Sequence, residues 1–138
     1  MEHEKEILHI EKIQPALVHI ELHYNENLKI KDLAEICNIS EPYFRRLFGN
    51  CIEMSPLEYI NTIRIRKACE FLQKEDISMS ALAWKIGYSS VSTFERNFKK
   101  ILGESPTKWR LKSDDDKQFV NYRAERKKVR NLFVEKRI

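Results

Sequence analysis

Two stretches of this chain, 50 residues apart, follow one pattern. At that shift Ile36 falls on Ile86, Ser40 on Ser90, Phe44 on Phe94, Arg46 on Arg96, Phe48 on Phe98 and Ile52 on Leu102. The match continues through Ser55-Pro56 and Ser105-Pro106 to Tyr59 and Trp109. Leu33-Ala34 matches Leu82-Ala83 at a shift of 49 instead, which makes the second copy one residue longer before its turn. Two copies of one fold need the same apolar positions in order to pack. A repeated outward arginine has no packing reason and points to a shared task. Two copies make a pair of units, not a solenoid.

Each copy reads as a short helix, a tight turn and a longer helix. In the second, the turn falls at Gly87, and Phe94, Phe98, Ile101 and Leu102 recur at i, i+4, i+7 and i+8, the spacing of one helix face. Ser92, Glu95, Arg96, Lys99 and Lys100 take the opposite face. In the first, Ile30, Leu33, Ala34 and Ile36 form the short helix and Cys37-Asn38-Ile39 the turn. Ser40 then caps the next helix, and Glu41 and Pro42 suit its first turn. Tyr43, Phe44, Leu47, Phe48, Cys51 and Ile52 make a wide apolar stripe there, leaving Arg45, Arg46 and Asn50 outside. A helix–turn–helix whose second helix is apolar inside and cationic outside has the chemistry of a DNA reader.

The remaining segments read as connections and ends. Residues 2–12 are acidic and suit a frayed helix carrying Ile7, Leu8 and Ile10. Pro15 suits the first turn of a new helix, in which Ala16, Leu17, Ile20 and Tyr24 share a face before a polar break at Asn25–Leu28. Ser55-Pro56 starts a long helix to about Lys74, with Leu57, Ile60, Ile63, Ala68, Phe71 and Leu72 as its buried stripe and a basic patch of Arg64, Arg66 and Lys67. Its roughly 18 residues span about 27 Å at the helical rise. Ser78 or Ser80 can cap the next helix, and Pro106 starts a short one to about Leu111. Asp114-Asp115-Asp116 opens the tail, which carries Arg123, Arg126, Lys127, Lys128, Arg130, Lys136 and Arg137 among Phe119, Tyr122, Val129, Leu132 and Phe133. A DNA-touching helix, a partner-binding helix and a frayed end all fit it.

With 42% apolar residues and only three Gly and four Pro among 138, the chain is globular and helical, and scarce Val and Thr argue against a sheet. The expected fold class is all-α. Residues 1–95 hold 11 Lys and Arg against 15 Asp and Glu, residues 96–138 hold 14 against 6. So electropositive a half fits either a polyanion partner, most simply nucleic acid, or a solvated basic tail. Cys37, Cys51 and Cys69 lack any C-x-x-C spacing and read as reduced thiols filling the core. His19 and His23 stand at i, i+4, but the surrounding HIELH lacks a third ligand and the glutamate position of a zinc helix. No metal or cofactor is expected. With no glycine-rich phosphate loop and no nucleophile–base constellation, an enzyme is not expected either. No apolar run reaches membrane-spanning length and no signal peptide is evident, so the expected location is the cytoplasm.

The pattern LA…ISEPYFRRLFGNCIEMSPLEYINTIRIRKACEFL, then ISMSALAWKIGYSSVSTFERNFKKILGESPTKWR, resembles the DNA-binding domain of AraC/XylS-type transcriptional regulators over about residues 14–112. The most specific parts are I-G-Y-S-S, F-x-R-x-F-K-K and G-x-S-P-x-x-W-R. The resemblance implies seven helices in two homeodomain-like helix–turn–helix lobes joined by one linking helix. The expected segments are an N-terminal extension (1–14), a first lobe (15–56), the linking helix (57–74), a second lobe (75–112) and a basic tail (113–138). It also implies that the two recognition helices enter successive major grooves, which repeat about every 34 Å.

Carried over by position, the first recognition helix would present Pro42, Arg45 and Arg46 to the groove, and the second Val91, Ser92, Glu95 and Arg96. Arg46 and Arg96 can each fork onto guanine O6 and N7. Glu95 can accept from cytosine N4 or pair with Lys99. Ser40, Ser90, Thr93, Lys99 and Lys100 would hold phosphates. Pro42 and Val91 replace the long readers of many relatives. Gly49-Asn50 stands where the second lobe has Lys99-Lys100, so the first lobe is expected to grip the backbone more weakly. The implied function is a sequence-specific bacterial transcription regulator, an activator that contacts RNA polymerase and binds double-stranded DNA as a monomer or weak dimer. The competing expectation is a helical protein-interaction module that no longer binds DNA.

Overall fold

Five of the seven helices among the described residues begin just after a serine. Ser40, Ser78, Ser90 and Ser105 each turn a hydroxyl oxygen onto the backbone N–H three residues on. They cap α3 (Glu41–Ile52), α5 (Met79–Lys85), α6 (Val91–Leu102) and α7 (Pro106–Leu111). Ser55 does the same for α4 (Pro56–Lys74), and Glu58 returns the bond: Glu58 N donates to Ser55 Oγ at 3.1 Å and Ser55 N to Glu58 Oε1 at 3.2 Å. This reciprocal box satisfies two donors that a helix start leaves open. Each serine cap contributes on the order of 1 kcal/mol. Two earlier helices, α1 (Glu2–His23) and α2 (Ile30–Ile36), complete seven in the computed structural model, which describes residues 2–112 and has no strand among them. The basic tail lies outside the described residues.

The chain divides into two compact units. The first holds α1, α2, α3 and the start of α4; the second holds the segment Tyr24–Asn27, the rest of α4, and α5 to α7. In the first, Ile10, Ile13, Ala16, Leu17 and Ile20 of α1 are buried, with Leu33 and Ala34 of α2 and Phe44, Leu47, Phe48 and Ile52 of α3. In the second, Leu82, Ala83, Ile86, Phe94, Phe98, Leu102 and Trp109 are buried. The repeated positions make repeated contacts. The Tyr59 and Phe48 rings meet near a right angle with centroids 5.5 Å apart, and the Trp109 and Phe98 rings do the same at 6.0 Å.

Four local expectations are corrected. The helix does not restart at Pro15: α1 runs through it. A proline inside a helix removes one hydrogen bond and costs about 3 kcal/mol. Here Pro15 is on the exposed side, and Ile10, Ile13, Ala16, Leu17 and Ile20 bury the face behind it without a break. Leu57 is 59% exposed, while Ile65 and Cys69 join Ile60, Ile63, Ala68 and Leu72 in the buried stripe of α4. Arg64 does not belong to a surface patch but is partly buried, with its guanidinium bonded to backbone carbonyls. Lastly, the second copy's extra residue follows the turn instead of preceding it.

That last point is visible in the turns themselves. Asn38 and Gly87 both have positive φ, 59° and 104°. Ile39 N donates to Ala34 O and Tyr88 N to Ala83 O, an identical closure at a shift of 49. The caps Ser40 and Ser90 stand at a shift of 50, so Ser89 is the insertion. Ile36 therefore corresponds to Lys85, not Ile86, and it is accordingly 39% exposed.

Candidate nucleic-acid interface

In each unit the longer helix turns its aromatic stripe inward and leaves a polar row outside. On α3, Phe44 and Phe48 are fully buried while Pro42, Arg45, Arg46 and Asn50 are exposed. On α6, Phe94 and Phe98 are fully buried while Ser92, Glu95, Arg96, Lys99 and Lys100 are exposed. Val91 and Thr93 are half-buried at its N-terminal end. Of the residues expected to touch DNA, Pro42, Arg45, Arg46 and Asn50 thus lie exposed on α3, and Ser92, Glu95, Arg96, Lys99 and Lys100 on α6.

The two arginines are held alike by different chemistry. Arg46 lies over the Tyr43 ring, 5.3 Å from its centroid. Arg96 Nη2 donates to Thr93 Oγ1 at 3.3 Å. Tyr43 and Thr93 are equivalent positions, each one turn before the arginine. Leaning back on the previous turn limits the freedom of a long side chain while leaving its donors in solvent.

Other members of the rows have duties of their own. Arg45 Nη2 lies 3.8 Å from Glu41 Oε1, an exposed pair worth a few tenths of a kcal/mol. Ser40 and Ser90 accept from the backbone N–H of Tyr43 and Thr93, at 3.3 and 3.2 Å. Ser90 Oγ also donates to Thr93 Oγ1 at 3.0 Å. Among the described residues, Glu95 and Lys99 form no ion pair with each other. Lys99 and Lys100 stand in the last turn of α6, where the helix dipole favours cations. Gly103 then ends the helix at φ 87°.

Sequence reading missed a cluster behind the second turn. Arg64 Nε donates to Tyr24 O at 2.7 Å and its Nη2 to Glu26 O at 2.8 Å. Its guanidinium carbon lies 5.2 Å from the centroid of the Tyr88 ring, whose hydroxyl donates to Asn61 Oδ1 at 2.7 Å. This cluster fixes Gly87-Tyr88, the turn from which α6 departs. An i, i+4 pattern cannot show it, because Arg64 meets Tyr24 across 40 residues. Tyr43, expected in the core stripe, is half-buried with cations beside its ring. His19 and His23 stack on each other with ring centroids 4.4 Å apart.

Burial pushes the Tyr88 hydroxyl well above its ordinary pKa, and the Arg64 charge beside it works the other way without offsetting the rise. The folded chain therefore keeps this proton at pH values where the unfolded chain loses it. That contribution to stability is complete below the unfolded value, about 10, and is lost as pH rises above it. Denaturant titrations at pH 8 and pH 11 should show a steeper alkaline loss for the wild type than for Tyr88→Phe. Equal losses would mean that Tyr88 ionises as freely in the folded chain as in the unfolded one.

Comparison with known proteins identifies the fold and the family. A family model described as a helix-turn-helix domain matches residues 33–112, more than half of the chain. An HTH-type transcriptional regulator of Staphylococcus aureus is 31% identical over 104 residues, which are 75% of this chain and 14% of that protein. The HTH-type transcriptional regulator AlkR of Acinetobacter baylyi is 30% identical over 102 residues, 74% of this chain and 33% of that protein. The chain thus spans a third or less of the length of these relatives. The crystal structure of the DNA-binding domain of AdpA, a global transcriptional factor, in complex with a target DNA, superimposes with a TM-score of 0.66. It shows 26% identity and covers 69% of this chain and 86% of that one. By the matched residues and by the seven helices of its described residues, the chain belongs to the AraC-type helix-turn-helix family of transcriptional regulators.

Proposed function

We propose that this chain binds double-stranded DNA in a sequence-specific way, with α3 and α6 as recognition helices that read two successive major grooves. The observation that carries the reading is the pair Arg46 and Arg96. They occupy one position of a repeated helix, both are exposed, and both are braced by the residue one turn earlier. Packing needs neither of them. Each can reach a guanine edge with two parallel donors. Ser40, Ser90, Thr93, Lys99 and Lys100 hold phosphates, with Asn50 at the position of Lys100, and Pro42, Arg45, Val91, Ser92 and Glu95 face the groove. We take the chain as a bacterial, cytoplasmic regulator that activates by contacting RNA polymerase and acts as a monomer or weak dimer. The activating role rests on the family resemblance.

Selection of bound duplexes from a random pool tests the reading directly. Two motifs about one helical turn apart are expected. On the selected duplex Arg96→Ala should lose about 1–3 kcal/mol of binding and relax the preference at one position. The same titration with unchanged affinity and preference would remove Arg96 from the interface. Wild-type affinity should also fall steeply with salt, as phosphate counterions are displaced. A protein-interaction module that has lost DNA binding would show no such dependence on duplex DNA.

A further inference from the structure

Gly49-Asn50 leaves the first unit without the lysine pair that closes α6, but the structure brings that unit a cation from another helix. Lys12 of α1 lies against the first turn of α3. Its Nζ donates to Tyr43 Oη at 3.3 Å and stands 5.6 Å from the ring centroid. The guanidinium of Arg46 stands 5.3 Å from the same centroid. Both cationic side chains are exposed, and among the described residues no carboxylate pairs with either. Two cations from different helices therefore bracket one half-buried ring.

The position of that ring matters. Tyr43 is in the N-terminal turn of α3, and the N-terminal end of a recognition helix is the part that reaches the base edges. Each DNA strand carries a phosphate about every 3.4 Å along the axis. A groove wall that admits Arg46 thus brings phosphates near an ammonium held on the same ring.

We propose that Lys12 is a DNA-phosphate contact of the first unit, held beside Arg46 by Tyr43, so that α1 is part of the DNA-binding surface. The proposal rests on the DNA-binding reading above and adds a helix to it. A phosphate contact positions without specifying. Removing Lys12 should therefore weaken binding by a similar factor on every duplex, unlike removing Arg96.

The test uses the full chain, the duplex selected from the random pool and a scrambled duplex of equal length. Affinities of the wild type, Lys12→Gln and Lys74→Gln are titrated across salt concentrations. Lys74 is an exposed lysine at the end of α4 and serves as a control for net charge. Lys12→Gln is expected to lose several-fold in affinity on both duplexes and to lower the salt slope by about 1, with its unfolding midpoint unchanged and Lys74→Gln close to wild type. An unaltered slope for Lys12→Gln, or equal reductions in the two variants, overturns the proposal. A wild type that binds neither duplex overturns the DNA reading itself, and with it this one.

Discussion

Gly87→Ala should destabilise the second unit by several kcal/mol, a large share of the margin such a domain has. Two separate effects add. Gly87 has φ 104°, a conformation that costs a residue with a side chain about 1–3 kcal/mol. A Cβ there would also lie 2.9 Å from the Asn25 Cα and 3.0 Å from the Arg64 guanidinium. The arginine end can swing aside, at the loss of its bonds to Tyr24 and Glu26, but the Asn25 backbone cannot. Overpacking of this kind adds about 1–3 kcal/mol, against a total stability of about 5–15 kcal/mol for a domain. Asn38→Ala at the equivalent turn should cost only about 1–2 kcal/mol, the penalty of left-handed backbone alone. Both tryptophans of the chain, Trp84 and Trp109, lie in the second unit. Denaturant unfolding followed by tryptophan fluorescence therefore reads the Gly87 effect directly. A midpoint within about 0.5 kcal/mol of wild type, the range of ordinary surface substitutions, would show that the turn relaxes freely.

The contrast between these turns explains what the residues alone could and could not disclose. Gly87 and Asn38 mark their turns because the left-handed region admits few residue types, and that preference is local. The starts of α3, α4 and α7 were legible for the same reason, since a serine satisfies a donor within three residues and a nearby proline leaves one fewer to satisfy. The stripes of α3 and α6 were legible because burial on one face imposes its own spacing. The repeat then singled out Arg46 and Arg96 as residues that packing does not require. The position of the insertion was not legible, because Ile36 and Ile86 align by type although only Ile86 is fully buried. Nor was the course of α1 legible through Pro15, where burial on the opposite face outweighs a local rule. Arg64 and Lys12 escaped for one cause: each acts through a residue more than 30 positions away. Arg64 looked like surface charge, and the first unit looked short of cations.

Phe98→Ala should have an effect as large as Gly87→Ala by the opposite means, leaving a void instead of a clash. Phe98 is fully buried, with the Phe94 ring 5.8 Å and the Trp109 ring 6.0 Å away, each meeting it near a right angle. Truncating a buried phenylalanine costs about 3–5 kcal/mol, as the transfer energy is lost and the cavity closes only in part. DNA binding should fall as well, although Phe98 faces away from the exposed row of α6. The cause can be separated from that of Arg96→Ala. Arg96 is exposed, so its loss should leave the unfolding midpoint within about 0.5 kcal/mol of wild type while binding weakens. Phe98→Ala should move midpoint and binding together, and Phe98→Leu, which refills part of the void, should restore part of both. If Phe98→Ala lost affinity with its midpoint unchanged, the inner face of α6 would have to touch DNA, and the assignment of its two faces would be wrong. Phe48→Ala is the matched case in the first unit, where Phe44 and Tyr59 both lie 5.5 Å from the ring. A similar loss is expected there, and hydrogen exchange at α3 reads it where tryptophan fluorescence cannot.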